Sequence, residues 1–178
     1  DLLLSQQAGS THTVAVSGTA ITPSHLKILK RFTQKLIFAF DVDKAGIEAS
    51  RRAVTLAGKE YFMTKIVSIE GGKDPADIVL HDPGEWRTML ERAEDSISFF
   101  LKKSAEHLIS DSSLEAKRRV GGEIIPLIFS LVNEIEKAHW VRELAYFLKV
   151  SEESVWQELR KLSARTDSMK TVDTSQAF

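Results

Sequence analysis

Two aspartates one residue apart, Asp41 and Asp43, close the apolar run "KLIFAF" within the stretch "KLIFAFDVDKAG". In extended backbone, residues i and i+2 point the same way and lie about 6 to 7 Å apart, so both carboxylates could aim at one spot. In a partly desolvated crevice each would raise the other's proton affinity unless a cation sat between them. Hard oxygen donors with room for water suit Mg²⁺ or Mn²⁺, which take one or two carboxylates and leave the other positions to waters and phosphate oxygens. Phosphoryl chemistry follows. A second acidic stretch, "GGKDPADIV", adds Asp74 and Asp77. Helix capping competes with ligation here. Asp74 precedes Pro75 and could be an N-cap with proline at the first helical position, and Asp43 could cap a helix starting near Ala45. One residue can do both, but a single cap does not explain two carboxylates.

The elements around these residues must bring them together. "HTVAVSG", "KLIFAF" and "YFMTKIVSI" read as three strands. Between them, "TPSHLKILKRF" offers Thr22 as N-cap and Pro23 at the first helical position, and "KAGIEASRRAVTLAG" reads as a helix with Gly58 as its stop. "DLLLSQQAG" is a short opening helix ended by Gly9. Strands too apolar for a one-sided sheet, alternating with helices, imply an α/β fold with parallel pairing and helices on both faces. Such sheets place their functional loops at the carboxyl ends of the strands, where Asp74 and Asp77 could meet Asp41 and Asp43.

After residue 81 the spacing is helical throughout: "DPGEWRTMLERA", "DSISFFLKKSAEHLI", "SLEAKRRVGGEIIPLIFSLV", "NEIEKAHWVRELAYFLKV" and "SEESVWQELRKL". Gly121, Gly122 and Pro126 are expected to divide the third into two pieces. The expected organisation is an α/β domain over 1–81, an all-α helical subdomain over 82–162 and a polar linker or disordered tail over 163–178.

Bulk properties narrow the function classes. The 178 residues carry a formal net charge of −1, so no whole-molecule field holds the chain on nucleic acid, and such a partner needs a local patch. Basic clusters occur at Lys27, Lys30, Arg31 and Lys35, at Arg51 with Arg52, and at Lys117, Arg118 and Arg119; taken singly, each reads as a solvated helix face. There is no cysteine, which excludes disulfides and thiolate metal sites. No apolar run approaches the roughly 18 residues a membrane span needs, and a cytoplasmic location is expected.

"AVSGTAITPSHLKIL", "FAFDVDKAGIEASRRAV" and "GGKDPADIV", in that order, resemble the three motifs of the Toprim domain of bacterial DnaG-type DNA primases. In that family S-x-G-T-A-x-T, F-D-x-D-x-A-G and G-x-D-P-D follow successive strands. The likeness extends more loosely over the helical half to about residue 160, which is similar to the helical subdomain of the primase core. The resemblance implies that Asp41 and Asp43 are catalytic metal ligands, with Asp74 completing the Mg²⁺ or Mn²⁺ site and the turn Ser17, Gly18 and Thr19 lining it. Lys44, Arg51 and Arg52 could contact phosphates or nucleic acid, with a helix-surface reading standing beside that one. The family's second aspartate of the third motif is Ala76 here, and Asp77 lies one residue further on.

The implied activity is nucleotidyl transfer: synthesis of short RNA primers from ribonucleoside triphosphates on a single-stranded DNA template, in a bacterial replication primosome. Asp1 with "LLLSQQAG" resembles the end of the family's E-G-x-x-D motif. The expectation is therefore a fragment, inactive alone, whose catalytic glutamate, first strand, basic subdomain and any zinc site precede residue 1. A replicative helicase would be met through a carboxyl-terminal domain outside the chain. Two other readings stand beside this one. In a haloacid-dehalogenase-type phosphatase Asp41 would be the nucleophile and Asp43 the acid/base, although Ala45 stands where that family has Thr or Val. In a helical interaction module Trp140, Tyr146, Phe147 and Trp156 would form a partner groove, although aromatics at such spacing more often face a core.

Overall fold

The computed structural model describes residues 2–16, 20–40, 43–69, 75–110 and 113–175, with 107–110 and 167–175 as backbone only. The chain divides into two compact units, Asp1–Phe99 and Phe100–Phe178. The first is mixed α/β: α1 (Leu2–Gln7), α2 (Pro23–Leu29), β1 (Lys35–Phe38), α3 (Lys44–Lys59), β2 (Met63–Ile66), α4 (Pro75–His81), α5 (Pro83–Glu91) and β3 (Glu94–Asp95). α6 (Ser96–Ser110) leads into the second unit, which holds α7 (Leu114–Ser130), α8 (Glu134–Leu148) and α9 (Glu152–Ser175).

The sheet runs β1-β2-β3. β1 and β2 are parallel, in register from Lys35↔Met63 to Phe38↔Ile66. Parallel neighbours need a long crossover, and α3 supplies it, packing along β2. The antiparallel β3 pairs with β2 through Lys65↔Asp95 and Ile66↔Glu94, a strand of two residues that the helical reading of this region did not include. Ile66 and Val67 are both buried, and consecutive residues of an extended chain point to opposite faces, so both faces of β2 are covered. One core joins Ala8, Val67, Ile69, Ile78, Val79, Trp86 and Ala93, with Leu4, Met89 and Leu90 packed around it. α5 is thus built into the first unit, and the boundary drawn between residues 81 and 82 lies inside that unit.

Local chemistry sets most helix ends. Thr22 caps α2 in a reciprocal box with His25, and Pro23 takes the first helical position. Asp82, Ser113 and Asn133 cap α5, α7 and α8 through side-chain oxygens that accept from backbone N–H groups. Three helices end in the paired 6→1 and 5→2 bonds of a Schellman motif. Gly9, at φ +91°, ends α1 as expected. α3, however, runs past the buried Gly58 to Lys59, and the left-handed residue is Tyr61 (φ 64°), with Tyr61 N donating to Gly58 O and Phe62 N to Ala57 O. Lys149 (φ 53°) ends α8 in the same way.

Three further expectations are corrected. Residues 12–16 form no strand; Val14 and Val16 are exposed, and among the described residues no neighbouring strand pairs with them, so β-branched composition has no ladder to join. α7 is one helix instead of two. Val120, Ile124, Ile125, Leu127 and Ile128 are buried along one side, whereas Gly122 and Pro126 are exposed. Gly122 and Pro126 thus share the solvated side of α7, where a carbonyl that lacks a helical donor can be hydrated. Finally, α9 continues to Ser175, so residues 163–175 are helical and not an irregular tail.

A Cβ placed on Gly122 meets nothing within 4 Å. Gly122→Ala is therefore expected to stabilise the chain by about 0.5–1 kcal/mol in urea denaturation, through the lower entropy of the unfolded chain. A helix broken at this point would show no gain.

Candidate metal site at the carboxyl edge of the sheet

Parallel pairing decides where the site can be. Val67 N donates to Phe38 O at 2.9 Å, extending the ladder one step beyond the strands. The chain therefore leaves β1 at Ala39 and β2 past Val67 at the same edge. The segment from β1 leads through Phe40 to Asp43, and the segment from β2 leads to α4, which opens at Pro75, directly after Asp74. The Phe40 ring is 5.7 Å from that of Phe38, giving this edge an apolar wall.

Asp43 is exposed and is the N-cap of α3; its Oδ1 accepts from Gly46 N at 2.6 Å. The helix start holds the carboxylate with a backbone donor and the positive end of the helix dipole. Capping uses one oxygen of the side chain. Asp41, Asp74 and the turn Ser17, Gly18 and Thr19 lie outside the described residues. Asp77 is exposed in the first turn of α4, between the half-buried Ala76 and the buried Ile78.

The cations of α3 are spread along it. Lys44 is exposed at its first position, Arg51 is half-buried and Arg52 is exposed. At 3.6 residues per turn Lys44 and Arg51 share a face, whereas Arg52 is turned about 80° from Lys44. Arg51 lies roughly 12 Å along the axis from Asp43 by the 1.5 Å rise, so Lys44 is the nearer to the carboxyl edge. Among the described residues there is no group of three or more His, Cys, Asp or Glu side chains placed to hold a metal. The donors that the chain offers at this edge are carboxylate oxygens, and with no cysteine the set fits a hard divalent cation.

The other residues singled out have separate surroundings. Trp140 is buried and stacks edge-on with His139 at 4.9 Å, while Tyr146 is 84% exposed, so the two do not line one groove wall. Composition reading missed the aromatic partners of one basic cluster: Lys30 Nζ lies 5.3 Å from the centre of the Tyr61 ring and 3.6 Å from Glu60. Among the described residues, no helix is long and apolar enough to cross a membrane.

Comparison with known proteins bears on this edge. Residues 1–79 match a family model described as Toprim-like. The chain is 34% identical over 116 residues to the DNA primase of Helicobacter pylori (strain ATCC 700392 / 26695), a match covering 65% of this chain and 21% of that protein. It superposes on the crystal structure of a DNA primase domain from Pseudomonas aeruginosa with a TM-score of 0.75 at 23% identity, covering 89% of this chain and 51% of that one. A DnaG primase catalytic domain bound to ssDNA is similar with a TM-score of 0.71 at 22% identity, covering 86% of this chain and 50% of that one. The chain spans about a fifth of the length of the curated relatives it matches.

The cap role of Asp43 is separable from its charge. Asp43→Ala is expected to lose about 0.5–2 kcal/mol of stability in urea denaturation, whereas Asp43→Asn, which caps equally well, stays within about 0.5 kcal/mol of the parent.

Proposed function

The chain belongs to the bacterial DnaG-type DNA primases, with its Toprim-like region at residues 1–79, and on that premise we propose that it supplies the metal-binding part of a primer-synthesising polymerase. The parent activity in this reading is RNA primer synthesis from ribonucleoside triphosphates on single-stranded DNA. The observation that carries it is the placement of Asp43, held by Gly46 N–H at the edge where the segments bearing Asp41 and Asp74 also leave the sheet.

Asp41, Asp43 and Asp74 would hold Mg²⁺ or Mn²⁺. When bound, the cation supplies charge neutralisation on the incoming triphosphate and favours attack by the primer 3′-hydroxyl. Gly46 N–H orients the Asp43 carboxylate, so little reorganisation is needed to accept a cation. Lys44, exposed at the start of α3, would meet phosphate oxygens, with Arg51 and Arg52 further along the same helix. Ser17, Gly18 and Thr19 are proposed to line the site, and the helical unit from Phe100 onward to correspond to the helical subdomain of the primase core. The ssDNA held by the similar catalytic domain supports a single-stranded template as partner.

Calorimetric or electron-spin-resonance titration with Mn²⁺ tests the site. The 178-residue chain is expected to bind the ion, and Asp41→Asn and Asp43→Asn are each expected to weaken it by about tenfold or more, because hard-cation affinity follows the charge of the ligand set. A covalent beryllofluoride or phosphoryl adduct at Asp41 would overturn the reading in favour of a phosphatase.

A further inference from the structure

The opposite edge of the sheet carries a different chemistry. Where β1 and β2 begin, Lys35 and Met63 are register partners, and Met63 N donates to Gln34 O at 2.9 Å. The loop entering β1 and the loop entering β2 are therefore side by side. The first carries Lys30, Arg31, Phe32 and Lys35, and the second carries Tyr61 and Met63. Lys30, Arg31, Phe32, Thr33, Gln34, Lys35 and Met63 line one open groove.

Both aromatic rings are offered to solvent. Phe32 is 80% exposed and Tyr61 62% exposed, beside Met63 at 49%. Lys30 bridges the groups, with its ammonium 5.3 Å from the Tyr61 ring centre and 3.6 Å from the Glu60 carboxylate. Lys30, Arg31 and Lys35, with Lys27 one helical turn before, are answered by Glu60 as the acid paired within the patch, which leaves it positive. Tyr61 is informative for a second reason. It occupies the left-handed position of the Schellman motif that ends α3, where glycine would sit without strain. The backbone keeps a strained aromatic whose ring is mostly outside the core, so folding does not explain the choice of side chain.

We propose that this edge is a binding surface for single-stranded nucleic acid, with bases stacked on Phe32 and Tyr61 and phosphates met by Arg31 and Lys35. Aromatic faces give sequence-tolerant stacking, and neighbouring cations follow the backbone, which is the chemistry by which single strands are held. An acidic protein would use the cations but leave two exposed rings without a role. The surface lies across the sheet from Asp43 and does not depend on the metal reading.

Fluorescence anisotropy of labelled 15-nucleotide oligo-dT and oligo-U with the 178-residue chain tests it. Both are expected to bind, with affinity falling as salt rises. Phe32→Ala and Tyr61→Gly are each expected to weaken binding about 5- to 100-fold, the range of one stacked base. Tyr61→Gly removes the backbone strain, so its thermal midpoint should equal or exceed that of the parent, which separates lost stacking from lost fold. Tyr146→Ala, an exposed aromatic of the second unit, should bind like the parent. Absence of binding, parental affinity in a folded Phe32→Ala, Tyr61→Gly double variant, equal weakening by Tyr146→Ala, or full displacement by poly-glutamate at equal charge would each overturn the proposal. A preference between the oligonucleotides would identify DNA or RNA as the strand held.

Discussion

Parallel pairing over four residues, Lys35↔Met63 to Phe38↔Ile66, is the constraint from which the α/β unit follows. Two parallel strands cannot be joined by a tight turn, so α3 must carry the chain back across a sheet face. The segments that leave β1 and β2 then depart from one edge, and the segments that enter these two strands arrive at the other. The acidic motifs follow strands and so share the first edge. The basic and aromatic residues precede strands and share the second. Two chemistries are kept apart by the direction of the chain, without any contact having to separate them.

The same unit shows how one side chain is held at a sheet edge. Asp43 starts α3 by accepting from Gly46 N, and that bond fixes the carboxylate at the sheet edge. An aspartate selected only for ligation would carry the entropy of an unheld rotamer. In the helical unit the demands are simpler. Val120, Ile124, Val141, Leu144, Val155 and Leu159 are buried on α7, α8 and α9, and these three helices pack pairwise. Ser104 Oγ donates to Glu123 at 2.6 Å, giving the buried hydroxyl of α6 an acceptor on α7.

Elements encoded by local chemistry were legible from residues alone. Thr22-Pro23 and Gly9 are signals read within one turn, and each marks the helix end expected of it. What depends on distant partners was not. "HTVAV" has the composition of a strand, but a strand exists only where another backbone accepts its hydrogen bonds. Gly58 looked like a helix stop, yet it is buried within α3 and the turn falls three residues later on Tyr61. Pro126 looked like a break, but burial on the opposite side of α7 outweighs one lost hydrogen bond. Of the candidate site, the cap role of Asp43 was legible, because Asp before a helix is a local pattern. The place of Tyr61 beside the basic edge was not legible, since Lys30 and Tyr61 are distant in sequence and meet only in the fold.

One strand edge carries a consequence for handling the protein. Among the described residues β1 is paired on one side only, and Ile37 on it is 46% exposed. Unpaired peptide groups beside an exposed branched side chain form a template onto which another copy can add a strand. Lys35, exposed at its start, gives partial protection by charge repulsion between copies, a protection that salt screens. Colloidal behaviour should therefore run against ordinary purification practice: high ionic strength, used to strip nucleic acid from a preparation, favours edge-to-edge association of this chain, and dilution in low salt keeps it dispersed.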